Sequence, residues 1–149
     1  MKINRKNLSK FIIIGWIVVF STNCDNNIST TEKNLTSQAW ILEKYLRNDL
    51  DETNQINLNT YEEKYSTNGE FERSYVHKDG DTTTETGTWN FKNNKTEIHV
   101  SDISSINDFS QNNSTLSSSI FNILELTDDQ FNYDYINGGD RHEFRLISK

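Results

Sequence analysis

The sequence predicts an all-β protein, an eight-stranded antiparallel up-and-down meander barrel that follows an N-terminal signal segment. Three observations predict it. Apolar and polar residues alternate with period two in successive runs, as they do in strands with one buried face. Short segments rich in Asn, Asp and Gly separate most of these runs and are typical of hairpin turns. Eight runs with mostly short connections favour a meander barrel over two stacked sheets, because a Greek-key sandwich needs more long crossovers.

The clearest strand covers residues 83–92. Gly87, Trp89 and Phe91 fall on one face of it, and threonines such as Thr88 fall on the other. This pattern indicates a strand with one face in the core, and β-branched threonine is common in strands.

Seven further runs complete the predicted barrel. Trp40, Leu42 and Leu46 share a face of the first run, but Lys44 interrupts that face, so a helix is an alternative there. The polar stretch 102–118 is long for a compact domain and is interpreted as an irregular surface loop, with a short helix as the alternative. The predicted strands lie within residues 37–48 and at 61–66, 71–77, 95–101, 119–126, 131–136 and 141–148.

Charge and cysteine content exclude several classes of protein. Four of the fifteen basic residues and none of the acidic residues fall in the first 23 positions, so the remainder has 11 basic and 22 acidic residues, a balance of −11. An acidic surface repels phosphate backbones, so we expect no nucleic-acid partner. Cys24 is the single cysteine, which excludes a disulfide framework and a cysteine zinc site.

The first 23 residues have the composition of a signal peptide. A basic start precedes the apolar run 11–20, whose ten residues would rise about 15 Å as a helix, against about 30 Å of bilayer hydrocarbon. Residues 20–24 (FSTNC) resemble a bacterial lipobox, in which the cysteine is lipidated and becomes the mature N-terminus. Ser21 and Asn23 depart from the usual pattern, and an ordinary cleaved signal or an uncleaved anchor is the alternative.

This interpretation divides the chain into three parts: a lipoprotein signal peptide (1–23), the lipidated Cys24 with a flexible tether (24–36), and the barrel domain (37–149). The lipid on Cys24 would attach the protein to a membrane. We therefore expect a lipid-anchored protein of the cell envelope, at the outer membrane, with the periplasmic and surface faces both left open.

Four short motifs resemble those of the small lipocalin-like lipoproteins of Bacteroidetes. They are residues 39–42 (AWIL), 68–71 (NGEF), 87–91 (GTWNF) and 123–126 (ILEL), and the resemblance covers residues 37–149. The Gly-x-Trp of true lipocalins belongs to their first strand, whereas Gly87 and Trp89 lie mid-chain, so no ligand or site of a true lipocalin is transferred. The resemblance implies a fold and a location, because members of this group are mostly of undefined function.

The sequence contains no recognisable catalytic pattern. A Gly-x-Ser-x-Gly motif, a P-loop and a His-Glu-x-x-His motif are all absent. The histidines His77, His99 and His142 lie far apart in sequence, and the Asp-Gly segments are those that hairpin turns favour. We therefore expect a protein that is not an enzyme, with neither a cofactor nor a metal.

The candidate ligand-binding residues are those predicted to line the barrel, since an eight-stranded barrel is filled by side chains or holds one small ligand. Arg73 and Lys44 share faces with apolar residues. Inside a barrel Arg73 must be paired or meet an anionic ligand; the alternatives are a solvent-facing position or a neighbouring glutamate. The candidate lining is Trp40, Phe71, Arg73, Tyr75, Trp89, Phe91, Tyr133, Tyr135 and Phe144, with Phe131 among the same aromatic set.

Two functions follow from this lining. In the first, the barrel of a lipid-anchored envelope protein binds a small apolar or amphipathic ligand. In the second, the barrel is filled, and the protein has a structural role or binds another envelope protein through its surface and loops. The fold alone does not decide between them.

Overall fold

The computed structural model describes residues 28–55, 58–103 and 118–149. In this part of the chain a short helix precedes nine strands, and a single 3-10 turn, Asn93–Lys95, joins two of them. The elements are α1 (Thr30–Thr36), β1 (Ala39–Arg47), β2 (Leu50–Asp51), β3 (Leu58–Tyr65), β4 (Glu70–His77), β5 (Thr82–Lys92), β6 (Glu97–Ser101), β7 (Ser118–Leu126), β8 (Gln130–Asn137) and β9 (Asp140–Ser148).

Eight of the strands form a closed antiparallel barrel. β1 pairs with β3, each later strand pairs with the next, and β9 pairs back with β1. The closing seam runs from Trp40 opposite Ser148 to Arg47 opposite His142. The two-residue β2 is an extra strand beside the end of β1. The predicted eight-stranded meander barrel is therefore confirmed, and each predicted strand lies within three residues of its observed bounds.

Tight turns alternate between the two ends of the barrel, as a meander requires. The β8–β9 turn places Gly138 and Gly139 at φ 60° and 93°, and the β1–β2 turn places Asn48 and Asp49 at φ 48° and 67°. Positive φ at both central residues defines the hairpin turn that suits the strand twist, and Gly, Asn and Asp tolerate it best. The residue types at these turns therefore account for the tight reversals.

The helix α1 covers the end of the barrel at which β1 begins. The side chain of Ser29 accepts a hydrogen bond from the Glu32 backbone N–H (3.2 Å) and caps the helix. Leu35 is fully buried, and its carbonyl accepts a hydrogen bond from the Trp40 indole (3.0 Å). The tether predicted over residues 24–36 is therefore wrong for 30–36, because seven mostly polar residues form a helix that docking stabilises. Cys24 and residues 25–27 lie outside the described residues.

A β-bulge in β1 changes the predicted faces of the first strand. The pairing with β9 shifts by one residue between Leu42 and Lys44. As a result Tyr45 is buried (1% exposed) in the core, and Lys44 forms an ion pair with Asp51 at the surface (3.2 Å). The prediction that Lys44 shares the apolar face is therefore wrong, because an inserted residue reverses the alternation beyond it. A strand, not the alternative helix, is present here.

The other predicted loops are described only in part. Residues 49–60, predicted as a loop, contain β2 and the start of β3. Of the stretch 102–118, residues 104–117 lie outside the described residues. Ile103, which is described, is buried beneath Gly87.

Candidate functional site

The barrel interior is the candidate site, and the structure places all nine predicted lining residues on its inner side. Eight of them are at most 7% exposed, and Phe91 is partly buried against the same core. Their rings contact one another at short range: Tyr133 and Phe144 stack with centroids 5.2 Å apart, and Trp40 and Phe131 lie 5.6 Å apart. Aromatic pairs at these separations stabilise a core beyond the area that they bury. The candidate lining is therefore packed as a core.

Arg73 lies at the centre of this interior, between two glutamates of the neighbouring strands. The antiparallel register places Glu63 of β3 and Glu85 of β5 directly opposite Arg73 of β4. The guanidinium donates to Glu63 Oε1 from Nε (3.0 Å) and from Nη2 (2.8 Å), and Nη1 lies 3.6 Å from Glu85 Oε2. All three side chains are at most 2% exposed. Of the arrangements predicted for Arg73, pairing with glutamate is the one observed.

Tyrosine hydroxyls donate further hydrogen bonds to the two carboxylates. Tyr65 donates to Glu63 Oε2 (2.7 Å), and Tyr133 donates to Glu63 Oε1 (2.7 Å), as does Tyr61. Tyr75 donates to Glu85 Oε1 (3.2 Å). Buried charges are tolerated when ion pairs and hydrogen bonds replace their hydration. We call these residues the interior network; it consists of Glu63, Arg73, Glu85, Tyr61, Tyr65, Tyr75 and Tyr133.

Aromatic rings also surround the Arg73 guanidinium. Its central carbon lies 5.3 Å from the Phe71 ring centroid, 5.6 Å from that of Tyr61 and 5.7 Å from that of Phe121. Cation–π attraction at these distances is stronger in a desolvated setting than at a surface. The guanidinium is thus enclosed by rings, glutamates and hydroxyls of its own chain.

Burial and nearby charges shift the pKa values of the network so that its tyrosines and Arg73 stay protonated. Burial raises the pKa of the Tyr61, Tyr65 and Tyr133 hydroxyls well above the usual value, and the nearby Glu63 carboxylate raises it further. Burial alone would lower the pKa of Arg73, but the tyrosines and glutamates around it outweigh that effect and raise it. At neutral pH the tyrosines therefore donate hydrogen bonds and Arg73 remains a cation.

Sequence reasoning missed the partners of Arg73, although a signal for them was present. Glu63 lies two residues from both Tyr61 and Tyr65, and Glu85 lies two residues before Gly87. In a strand those spacings place each glutamate on the face of its apolar neighbours. The sequence therefore indicated that Glu63, Glu85 and Arg73 each lie on an inner face. Whether the three side chains meet depends on the register of β3, β4 and β5, which could not be read from the sequence.

The histidines do not form a shared site in the part of the chain that the structure describes. His142 is buried and lies 2.7 Å from the Tyr45 hydroxyl through Nδ1, and His77 lies edge-on to Tyr75 with centroids 5.1 Å apart. Among the described residues, no three His, Cys, Asp or Glu side chains are grouped so that they could hold a metal ion. The same residues contain no helix that is both long and apolar enough to cross a membrane.

Among the grooves on the outer surface of the described residues, two lie near the strands and turns that flank the interior network. One, of about 540 Å³, crosses strands β3–β5 and is lined by Lys64, Glu72, Thr86 and Thr88, with Asp102 at its edge. We call it the wall groove. The other, of about 420 Å³, lies beside α1 between the β3–β4 and β5–β6 turns; we call it the end groove, and its lining includes Glu32, Trp89, Phe91 and Lys95.

Comparisons with known proteins identify the fold. The chain has no match among protein-family models or among curated protein sequences. Among solved structures it is similar to a lipocalin-like protein from Bacteroides uniformis, with a TM-score of 0.55 and 21% identity over 75% of this chain and 97% of that one. It is also similar to an uncharacterized protein from Bacteroides eggerthii, with a TM-score of 0.50 and 16% identity over 75% and 98% of the two chains. At these identities the similarity shows a lipocalin-like barrel fold.

Proposed function

We propose that this chain is a lipid-anchored protein of the cell envelope whose lipocalin-like barrel is filled by its own side chains and which acts, without catalysis, through its outer surface. The barrel serves as a rigid support for that surface. The partner is another envelope protein. The first function that the sequence suggested, a barrel that binds a small apolar or amphipathic ligand, is the competing outcome of the test below.

The observation that carries the proposal is the interior network. An amphiphile with a carboxylate would need Arg73 as its partner, but Glu63 already accepts two hydrogen bonds from the guanidinium. Replacing Glu63 by a ligand would leave its carboxylate buried without the guanidinium, at a cost of several kcal/mol. Phe121 and Phe144 both stack on Tyr133 of the network, with ring centroids 4.5 and 5.2 Å away, and fill space that an apolar tail would need. These contacts favour a filled barrel.

The lipid anchor is supported by the sequence alone. A basic start, a short apolar run and a terminal cysteine form the pattern of residues 1–24. An acidic mature chain with a single cysteine is consistent with that interpretation. The proposed location is the outer membrane.

Native mass spectrometry of the protein from the envelope of its own host tests the proposal. A lipid on Cys24 is covalent and stays attached on denaturation, whereas a ligand in the barrel is lost. We expect a lipid mass in both spectra and no further mass in the native one. A reproducible extra mass that disappears on denaturation would refute the filled barrel and identify the ligand class.

The surface part of the proposal has a separate test. A photo-crosslinking residue at Thr86, in the wall groove, is compared with one at Thr84, which is exposed on the same strand but does not line the groove. We expect one discrete protein adduct in intact cells from position 86 and none from position 84. Equal adducts at both positions, or no adduct at either, would contradict a partner at this groove.

A further inference from the structure

We infer that the end of the barrel covered by α1 is the surface that contacts a phospholipid bilayer. We call it the anchor end; it comprises α1 and the turns at residues 66–69, 93–96 and 127–129. The inference rests on the proposed lipid at Cys24, and it adds which face of the protein touches the membrane. The folding of α1 onto the barrel, which the sequence did not predict, is the observation that leads to it.

The docking of α1 shortens the connection between lipid and barrel. Leu35 is fully buried, and its carbonyl is bonded to the Trp40 indole, so the helix is part of the domain. Only six residue steps separate Cys24 from Thr30, and fully extended they span at most about 22 Å. A tether of twelve flexible residues would have allowed many orientations, but this connection holds the anchor end near the lipid.

The height of the barrel makes the opposite orientation strained. A nine-residue strand is about 30 Å long and, tilted by about 40° as in barrels of this size, gives a height of about 23 Å. To place the other end on the bilayer, the connection from Cys24 would have to run fully extended along the outer wall. That arrangement loses nearly all of its conformational freedom, which is entropically unfavourable.

Apolar side chains are exposed at both ends of the barrel, so they do not choose between the two orientations. Ile28, just before α1, is 48% exposed, whereas Leu50 and Ile136, at the opposite end, are 68% and 65% exposed. The end groove is lined in part by Phe91 and by Lys95, whose ammonium lies 5.6 Å from the Phe91 ring centroid and donates a hydrogen bond to Ser29. The orientation is therefore determined by the length of the connection and by charge.

The opposite end is more acidic. Its described connections, residues 48–55, 78–81, 102–103 and 138–139, contain six acidic side chains and one lysine, whereas the anchor end, counted from residue 28 to 37 and over its three turns, contains three acids and two lysines. Anionic lipids repel acidic segments and attract basic ones over about a Debye length. Charge therefore favours the same orientation as the short connection.

Quenching of a fluorescent label by lipid headgroups tests this orientation in the full-length lipidated protein. Cys24 is consumed by the lipid, so a second cysteine can be labelled alone. The matched variants are Lys33→Cys in α1 and Lys78→Cys in the β4–β5 turn, since both are exposed lysines on opposite ends. Each is labelled with bimane and reconstituted into phosphatidylcholine vesicles that contain nitroxide-headgroup lipid, and its covalent lipid is verified by mass.

We expect a marked loss of fluorescence at position 33 and little loss at position 78. With the lipid mass present, equal quenching at both positions, or stronger quenching at position 78, would overturn the inferred orientation and leave the anchor intact. A chain without the lipid mass would overturn the proposed anchor and the orientation with it. The two failures are therefore distinguishable.

Discussion

Arg73 shows why a cation inside a barrel requires partners of opposite charge. Its guanidinium is 2% exposed and faces two glutamates, one on each neighbouring strand. The free energy needed to remove three charged groups from water exceeds the stabilisation that one weak ion pair provides. The hydrogen bonds from the tyrosines are therefore needed to offset it. The network is therefore sensitive to removal of any one member.

Substitution Arg73→Met tests that sensitivity. It leaves two carboxyl groups buried without the guanidinium, and we expect the free energy of unfolding to fall by about 3–5 kcal/mol. Urea unfolding followed by tryptophan fluorescence gives the value. The control is Arg145→Met, which removes a half-exposed arginine paired with Glu143 and should cost about 1 kcal/mol or less. Similar losses for the two variants would show that the network contributes little.

The raised pKa values of the network tyrosines predict that the free energy of unfolding falls at alkaline pH. The pKa values of Tyr61, Tyr65 and Tyr133 are raised by burial in the folded state, so the unfolded chain releases these protons at lower pH than the folded protein. Their contribution is complete below the unfolded pKa of about 10 and is lost as pH rises above it. Absorbance at 295 nm should show at least three of the six tyrosines ionising only together with unfolding, as monitored by circular dichroism. Full ionisation of all six in a folded protein would contradict the buried network.

At the scale of single elements, the close approach of the β6 backbone to β5 explains why position 87 is a glycine. A Cβ at this position would lie 2.5 Å from the Ser101 carbonyl oxygen and 3.1 Å from the Ile103 side chain. The sequence placed Gly87 on the inner face of β5, but only the neighbouring strand β6 explains the absence of a side chain.

We expect Gly87→Ala to destabilise the protein by about 1–3 kcal/mol, because the added methyl group must displace the backbone of β6. The reduction can be measured by thermal or urea unfolding. Thr84→Ala, at an exposed position of the same strand, should change stability by no more than about 0.5 kcal/mol. An unchanged or increased stability of Gly87→Ala would mean that β5 and β6 are less close than the structure shows.

At the scale of the whole molecule, the packing of α1 against the barrel predicts that the folded domain begins before this helix and not at residue 37. A chain that begins at residue 28 retains the helix, whereas one that begins at residue 37, the predicted boundary, loses Leu35 and the hydrogen-bond acceptor of Trp40. Exposure of the core that Leu35 covers, together with that lost bond, should lower the free energy of unfolding of the shorter chain by about 3–5 kcal/mol.

Comparison of chains 28–149 and 37–149 by urea unfolding tests this boundary. Leu35→Ala in the longer chain should reproduce about 2–5 kcal/mol of the loss, and Lys33→Ala, at an exposed position of the same helix, should have little effect. If the two truncated chains are equally stable, α1 is not part of the folded unit.

The strands, the turns and the barrel topology were predictable because they depend on local properties of the chain. Alternation along 83–92 and the Asn, Asp and Gly residues of the turns act over a few residues, and short connections then leave few ways to order the strands. The inward position of Arg73 was predictable for the same reason. Its partners, the bulge in β1 and the docking of α1 were not. Each depends on how separate elements meet in space: Glu63 and Glu85 on the exact register of the two hairpins that share β4, Lys44 on the register of β1 with β9 at the closing seam, and Leu35 on the open end of the barrel that it covers.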